Sequence, residues 1–153
     1  VLLTFSIQGQ NQFECDFGLT REQVWNFISS KDFINAENTS DNLITASNGE
    51  LKIQYHFYSG RLFKIETLKT YSEKVEAEET YAGLKSLFQM KRARVRDLPA
   101  ERGNAVFTAV DGDKSCEVHR IKEAKTFAIL QINTHTQYGP QVGQMASARA
   151  LIR

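Results

Sequence analysis

Cysteine, histidine and proline are scarce in this chain, with two, three and two of them among 153 residues. The cysteines lie far apart and the histidines show no metal-binding spacing, so no metal site is recognisable. No apolar run approaches the ~20 residues that a membrane-spanning helix needs. Basic and acidic residues almost cancel, 19 against 18, which argues against a nucleic-acid partner, since such binding neutralises many phosphates. No phosphate loop or catalytic triad stands out, and we expect neither a cofactor nor an enzyme.

The clearest structural signal is a β-hairpin over residues 49–71. Apolar side chains alternate along its first strand at Leu51, Ile53, Tyr55 and Phe57. A three-residue turn at 58–60 would pair Tyr55 with Phe63 and Ile53 with Ile65, which keeps the apolar side chains on one face. We therefore predict this register.

Two helices are predicted on either side of the hairpin. Thr20 and Gln23 have the spacing of a capping box, so a helix is expected from there to about Ser30. A second helix is expected over residues 73–91, with Ser72 as its cap and apolar residues at helical spacing. Gly83 in its middle suggests close packing against a sheet, because glycine weakens a helix by about 1 kcal/mol relative to alanine.

Further alternating segments predict strands at residues 13–17, 43–46, 105–110, 115–121 and 126–133. Residues 31–42 are polar and loop-like, and a basic irregular connection follows the second helix. The economical fold is α+β: an antiparallel sheet of about six strands arranged as meander hairpins, with both helices packed on one face. The two halves each read as one helix and three strands, which suggests a duplicated α-β-β-β unit.

The sequence FGLTREQV over residues 17–24 resembles the opening of small exported bacterial α+β domains. These are the BamE-type outer-membrane assembly lipoproteins and the β-lactamase-inhibitory-protein-like group. The hairpin pattern Tyr55-x-Phe57-x-x-Gly60-x-Leu62 is similar to theirs, so the resemblance covers residues 17–66. It implies a helix packed on an antiparallel meander and an exported life. Residues 28–31 depart from the Leu-Gly-x-Pro that usually follows the helix, and Glu14 before Cys15 breaks a lipobox. No binding residue is carried over.

We predict a single domain at residues 10–136 and interpret the two ends of the chain separately. Residues 1–9 resemble the remnant of a secretory signal, with an edge strand as the alternative. The tail at 137–153 has no assigned structure. We predict that the protein is exported, to the periplasm or out of the cell. An oxidising compartment would favour a disulfide between Cys15 and Cys116, and the alternative is two buried thiols.

Two surface patches are candidate contact sites. Lys91, Arg92, Arg94 and Arg96 form the one local charge excess, either a solvated helix end or a docking patch for an anionic partner. His56, Tyr58 and Leu62 are expected to cluster outside the hairpin, as a contact patch or as a surface covered by another segment.

Two functions follow from these patterns. The first is an exported, non-catalytic domain that binds a protein or a cell-envelope component through its sheet face or hairpin tip. The alternative is a module that binds a small molecule or lipid in a pocket between helix and sheet, lined by Phe57, Phe63 and Phe88. A cavity of about 300 Å³ or more would distinguish the alternative from the first.

Overall fold

The structure, a computed structural model, describes residues 14–31 and 35–141. Residues 1–9, the start of the predicted domain and most of the predicted tail lie outside the described residues. Within them the chain forms two α-helices, eight β-strands and one 3-10 turn: α1 (Arg21–Ser29), β1 (Asn35–Ser40), β2 (Leu43–Asn48), β3 (Leu51–Tyr58), β4 (Arg61–Tyr71), α2 (Lys74–Met90), β5 (Arg94–Leu98), β6 (Ala105–Asp111), β7 (Lys114–Lys122), β8 (Phe127–His135) and the turn Thr136–Tyr138.

The strands form one antiparallel sheet in the order β1-β2-β3-β4-β8-β7-β6-β5. The α+β class is confirmed, but the sheet has eight strands rather than about six. Each half of the chain is a helix followed by a four-stranded meander, and the last strands of the two meanders, β4 and β8, pair at the centre. The predicted unit of one helix and three strands is therefore one strand too short.

The two strands that the sequence did not predict are the edges of the sheet. β1 lies in the segment interpreted as a polar loop, and all but one of its residues are exposed. β5 lies in the basic connection and exposes three of its five residues. An edge strand with water on several sides needs no alternating apolar pattern, and charged residues there are common. This is why periodicity missed both.

Helix α1 begins as the sequence predicts. The Thr20 amide donates to Gln23 Oε1 at 2.9 Å, and the Gln23 amide donates to Thr20 Oγ1 at 3.3 Å, which completes the capping box. Val24 and Ile28 are its buried residues. The strand predicted just before it is wrong for residues 14–17, which form no regular element and end in a turn at 17–18.

Helix α2 matches its predicted bounds to within a residue, but two details of the prediction are wrong. Its N-cap is Glu73 rather than Ser72, and Glu73 makes no side-chain capping bond. Gly83 is exposed, and a methyl group added to it would meet nothing within 4 Å. Gly83 therefore does not mark close packing against the sheet; Ala77, Leu84 and Phe88 face the core.

The register of the β3–β4 hairpin differs from the predicted one. Its turn has two residues, Ser59 and Gly60, with φ of 48° and 76°, the left-handed pair of a type I′ turn. Phe57 pairs with Leu62, the register then shifts, and Tyr55 pairs with Ile65. The shift leaves one extra residue in β4, Phe63, as a β-bulge. The bulge restores the match of apolar faces that a two-residue turn alone would lose.

Two rows of paired residues run across the sheet, and directly paired residues project from the same face. One row is Ile44, Tyr55, Ile65, Asn133, Cys116 and Ala109. The next is Ala46, Ile53, Thr67, Gln131, Val118 and Phe107. The core has two clusters, one with α1 against β2–β4 and one with α2 against β6–β8. Members of the first row occur in both clusters.

Candidate functional site

A cavity of about 560 Å³ opens over one end of the first row. Four consecutive members of that row, from β4, β8, β7 and β6, form its floor: Ile65, Asn133, Cys116 and Ala109. Three of these four side chains are small. Small side chains on three neighbouring strands leave space above this row. In the next row the corresponding positions carry larger side chains, such as Phe107 and Val118, and are filled. The space therefore follows from the choice of residues in the floor.

The walls of the cavity come from four separate parts of the chain. The end of α2 and the link after it contribute Phe88, Lys91 and Ala93, and the segment before α1 contributes residues 14–17. The third wall comes from the end of β8 and the 3-10 turn, with His135 and Tyr138, and the fourth from the turn between β6 and β7, with Asp111 and Lys114. The sheet thus supplies the floor of the cavity, while the walls come from segments at its margin.

Three aromatic rings close the end of the cavity near the 3-10 turn. The rings of His135 and Tyr138 lie 4.9 Å apart, and those of Phe17 and His135 lie 5.7 Å apart. Both distances are within the range of favourable ring contacts. His135 Nδ1 is buried without a hydrogen-bond partner among the described residues. The cluster ties the segment before α1 to the end of β8.

Both cysteines line this cavity as free thiols, so the predicted disulfide is not formed. Cys15 packs against the cluster of α1, whereas Cys116 belongs to the cluster of α2. Burial, and then the negative charges of Asp16 and Glu14, raise the pKa of Cys15 to about 12. Burial also raises the pKa of Cys116 to about 12, against the smaller opposing effect of a hydrogen bond with Gln131. Both thiols are therefore protonated at neutral pH, and neither is an activated nucleophile.

A line of polar side chains runs along the buried face beside the floor. Thr67 and Gln131 are fully buried in the second row, and Gln131 Nε2 donates to Asn133 Oδ1 at 3.4 Å. Charged residues of both signs line the cavity: the basic residues are Lys91 and Lys114, and the acidic ones are Glu14, Asp16 and Asp111. Burial is also the main cause that raises the pKa of Tyr55 above its ordinary value, so its hydroxyl stays neutral.

The predicted contact patch of His56, Tyr58 and Leu62 is not a single surface. Leu62 has 0% exposure and lies in the core cluster of α1, because the two-residue turn pairs it with the inward-facing Phe57. His56 and Tyr58 are half-buried on the other face, where Phe63 packs edge-on against Tyr58 at 6.3 Å. His56 Nε2 lies 3.7 Å from a Glu66 oxygen. Burial, and then the charge of Lys64, lower the pKa of His56.

The predicted basic patch is exposed at all four positions, but its members have different surroundings. Lys91 ends α2 and lines the cavity, and Arg92 follows with a left-handed φ of 61°. Arg94 and Arg96 belong to β5, where they point to the same side of the strand.

Of the three phenylalanines predicted to line a pocket, only Phe88 does so. Phe57 lies in the core of α1, and Phe63 contacts Tyr58. Sequence reasoning missed Ala109, Asn133 and Tyr138. Small residues at inward positions of otherwise apolar strands were the available signal, but their alignment across three strands depends on registers that the sequence did not give.

Other kinds of site find no support among the described residues. No group of three metal-binding side chains converges within residues 14–31 and 35–141. Cys116 and His119 face opposite sides of β7, as their spacing predicts. No helix in the described ranges has the length and apolar character needed to cross a membrane. Comparison of the chain with protein-family models, curated proteins and solved structures gives no match.

Proposed function

We propose that this domain binds a small amphipathic molecule in the cavity between the sheet and the end of α2. The observation that carries the proposal is the cavity of about 560 Å³. Cavities of roughly 300–1,000 Å³ are typical of small-molecule sites. A domain that only presented its outer surface would need no such space, so the cavity favours the ligand-binding alternative.

We also infer that the two helices cover the same face of the sheet. Val24 and Ile28 of α1 pack in one cluster with Ile44, Tyr55 and Ile65. Leu84 and Phe88 of α2 pack in the other with Ala109 and Cys116. These sheet residues all belong to the row of directly paired positions, which supports a common face. The cavity then lies where the cover of α2 ends, beside the segment that leads into α1.

The lining supports an amphipathic ligand rather than a purely apolar one. Ile65, Ala109 and Phe88 offer apolar contact, and the Asn133 amide offers both a donor and an acceptor. Lys91 and Lys114 stand among the lining residues together with Glu14, Asp16 and Asp111, so a polar group of the ligand would meet charges of both signs. The protonated thiols add polarisable surface without adding charge.

This role is compatible with the predicted exported life, which stays a prediction of the sequence. A protein or cell-envelope partner would use residues other than the cavity lining.

A fluorescent amphipathic anion, 1-anilinonaphthalene-8-sulfonate, tests the proposal. The wild-type protein should bind it saturably with one high-affinity site, and native mass spectrometry of the purified protein should reveal any retained small molecule. Ala109→Leu places a branched side chain in the floor and should weaken binding by at least about tenfold. Ala82→Leu makes the same change on the exposed side of α2 and should leave binding unaltered.

The two variants also separate a lost site from a lost fold, because thermal unfolding of each is measured alongside. Equal binding by wild type and a folded Ala109→Leu protein would place the dye elsewhere and contradict the proposal. Absence of saturable binding by the wild type would contradict it too.

A further inference from the structure

β5 forms one edge of the sheet. Within the described ranges it pairs with β6 alone, and its five residues run antiparallel from Arg94 opposite Val110 to Leu98 opposite Val106. The side of β5 away from β6 therefore presents backbone N–H and C=O groups that no strand of the described chain takes up. Such an edge is a template on which another extended chain can pair.

The charges along this edge are separated by sign onto the two sides of the strand. Arg94 and Arg96 point to one side and are exposed. Asp97 points to the other, where its two carboxylate oxygens lie 2.8 and 3.0 Å from Lys85 Nζ on α2. The one carboxylate of β5 is thus already neutralised by the helix. The opposite side carries two positive charges spaced two residues apart.

Among residues 14–31 and 35–141, no acidic side chain balances these two arginines on their own side of the strand. Arg94 is directly paired with Val110 and Arg96 with Thr108. In the row of Arg96 the nearest carboxylate belongs to Glu117, which pairs with Thr108 on the far side of β6. Its Oε1 already lies 2.5 Å from His119 Nε2. Within the part of the chain that the structure describes, neither arginine forms an ion pair.

We propose that the β5 edge binds an acidic polypeptide segment in extended conformation, which adds as a ninth strand. Backbone hydrogen bonds to β5 supply the general affinity, and carboxylates at alternate positions of the partner face Arg94 and Arg96 across the new strand pair. Arg92, exposed in the link between α2 and β5, adds a further positive charge at this end of the edge. This interaction is independent of the cavity and of the function proposed for it.

The same charges explain why the edge would select its partner. Two copies of β5 brought together would place arginines opposite arginines, which is unfavourable. The other edge, β1, carries a single charged residue, Glu37, and is a poor complement for two arginines. An anionic membrane is a less suitable partner, because the chain has a net charge of only +1 and offers a narrow basic patch. A membrane would also leave the backbone groups of the edge unpaired.

A labelled seven-residue peptide of alternating glutamate and threonine is the probe, with binding followed by fluorescence anisotropy. Two further peptides of the same sequence carry N-methyl groups on alternate backbone amides, one peptide on each edge of the strand. Each keeps the charge but cannot pair as a strand on its methylated edge. The unmodified peptide should bind, one of the two methylated forms should bind at least about tenfold more weakly, and raised salt should weaken binding.

Charge-reversal variants locate the site. Arg94→Glu with Arg96→Glu should weaken binding of the unmodified peptide at least about tenfold. The matched control, Lys52→Glu with Lys125→Glu, alters the net charge equally at exposed positions outside β5 and its neighbour β6 and should bind nearly as the wild type does. Amide hydrogen exchange should show new protection confined to residues 94–98.

Several results would overturn the proposal. Equal binding of all peptide forms would indicate charge attraction without strand pairing. Binding to vesicles containing anionic lipid but not to the peptide would indicate a membrane surface. Concentration-dependent self-association that reversal of Arg94 and Arg96 abolishes would assign the edge to a second copy of the chain. Dye binding in the cavity should be the same in the Arg94 and Arg96 variant, which keeps the two proposals separable.

Discussion

The ring of Tyr138 lies directly against the backbone of Gly18. Gly18 has a φ of +90°, and a Cβ built on it would stand 2.7 Å from Tyr138 Cζ. The Gly18 amide donates to the Leu62 carbonyl at 2.8 Å, and its own carbonyl accepts from Arg61 Nη1 at 3.0 Å. This contact joins the segment before α1 to the 3-10 turn after β8, and both line the cavity.

Gly18→Ala should therefore destabilise the fold by more than a backbone effect alone. The left-handed φ costs about 1 kcal/mol for alanine, and displacement of the Tyr138 ring should bring the total to roughly 2–4 kcal/mol. Gly112→Ala is the matched control, because Gly112 has a φ of 61° but nothing within 4 Å of its Cβ position. Urea unfolding measures both variants.

A double-mutant cycle identifies the cause. In a Tyr138→Ala background, the cost of Gly18→Ala should fall to the cost of Gly112→Ala. If Gly18→Ala costs the same with and without the ring, Tyr138 does not pack on Gly18 and this end of the cavity is built differently.

Leu62→Ala should destabilise the protein by about 2–5 kcal/mol, because Leu62 has 0% exposure and its removal leaves a void in the core. Leu98→Ala, at a partly exposed edge position, should cost less than half as much. Chemical denaturation of the two variants compares them. Similar small losses would mean that Leu62 lies outside the core, as the three-residue turn had predicted.

Gly83→Ala should raise the free energy of unfolding by roughly 0.5–1 kcal/mol, since alanine is the better helix former and the added methyl group meets only solvent. The reverse change at the neighbouring exposed position, Ala82→Gly, should lower it by a similar amount. A destabilising Gly83→Ala, measured in the same urea titrations, would show that Gly83 touches another part of the protein.

Stability should decline as the pH rises above about 9. The ordinary thiol pKa of 9.0 becomes about 12 for Cys15 and for Cys116 in the folded state. Between those values the unfolded chain loses the thiol protons while the folded protein keeps them, so unfolding becomes easier as pH rises. Each thiol contributes a slope approaching roughly 1.4 kcal/mol per pH unit.

Unfolding under reducing conditions at a series of alkaline pH values tests this dependence. Cys116→Ala should remove about half of the thiol contribution to the slope, and Cys15→Ala the other half. Tyr55, whose pKa is also raised by burial, adds its own slope above pH 10 in every variant. A pH profile unchanged by both alanine substitutions would show that the thiols ionise as freely in the folded protein as in the unfolded chain.

The sequence predicted the interior elements of the fold because their residues alternate or repeat strongly. The capping box of α1, the span of α2 and the inward face of β3 all follow from local patterns, and each is confirmed. The two edge strands left no such pattern, since β1 is almost wholly exposed and β5 carries charge on both sides. The periodicity of apolar residues identifies a helix or strand only where one face of that element is buried.

The cavity was beyond prediction for a different reason. Its floor depends on Cys116, Asn133 and Ala109 lying side by side, which requires the registers of two strand pairs. In the β3–β4 hairpin the two-residue turn pairs Leu62 with Phe57 and so turns it inward, and a single bulged residue, Phe63, then shifts the pairing of the rest of the hairpin. Register is set by turn type together with burial of whole faces, and one extra residue in a strand gives no compositional sign.

Chemical-shift mapping of the anilinonaphthalene dye by NMR tests the central claim, ligand binding in the cavity, most directly. The account predicts that the largest amide shifts fall on the floor residues Ile65, Ala109, Cys116 and Asn133 and on residues 14–17, with little change in β1 and β2. Shifts centred instead on the opposite face of the sheet, around Leu68, Leu130 and Ile132, would contradict it.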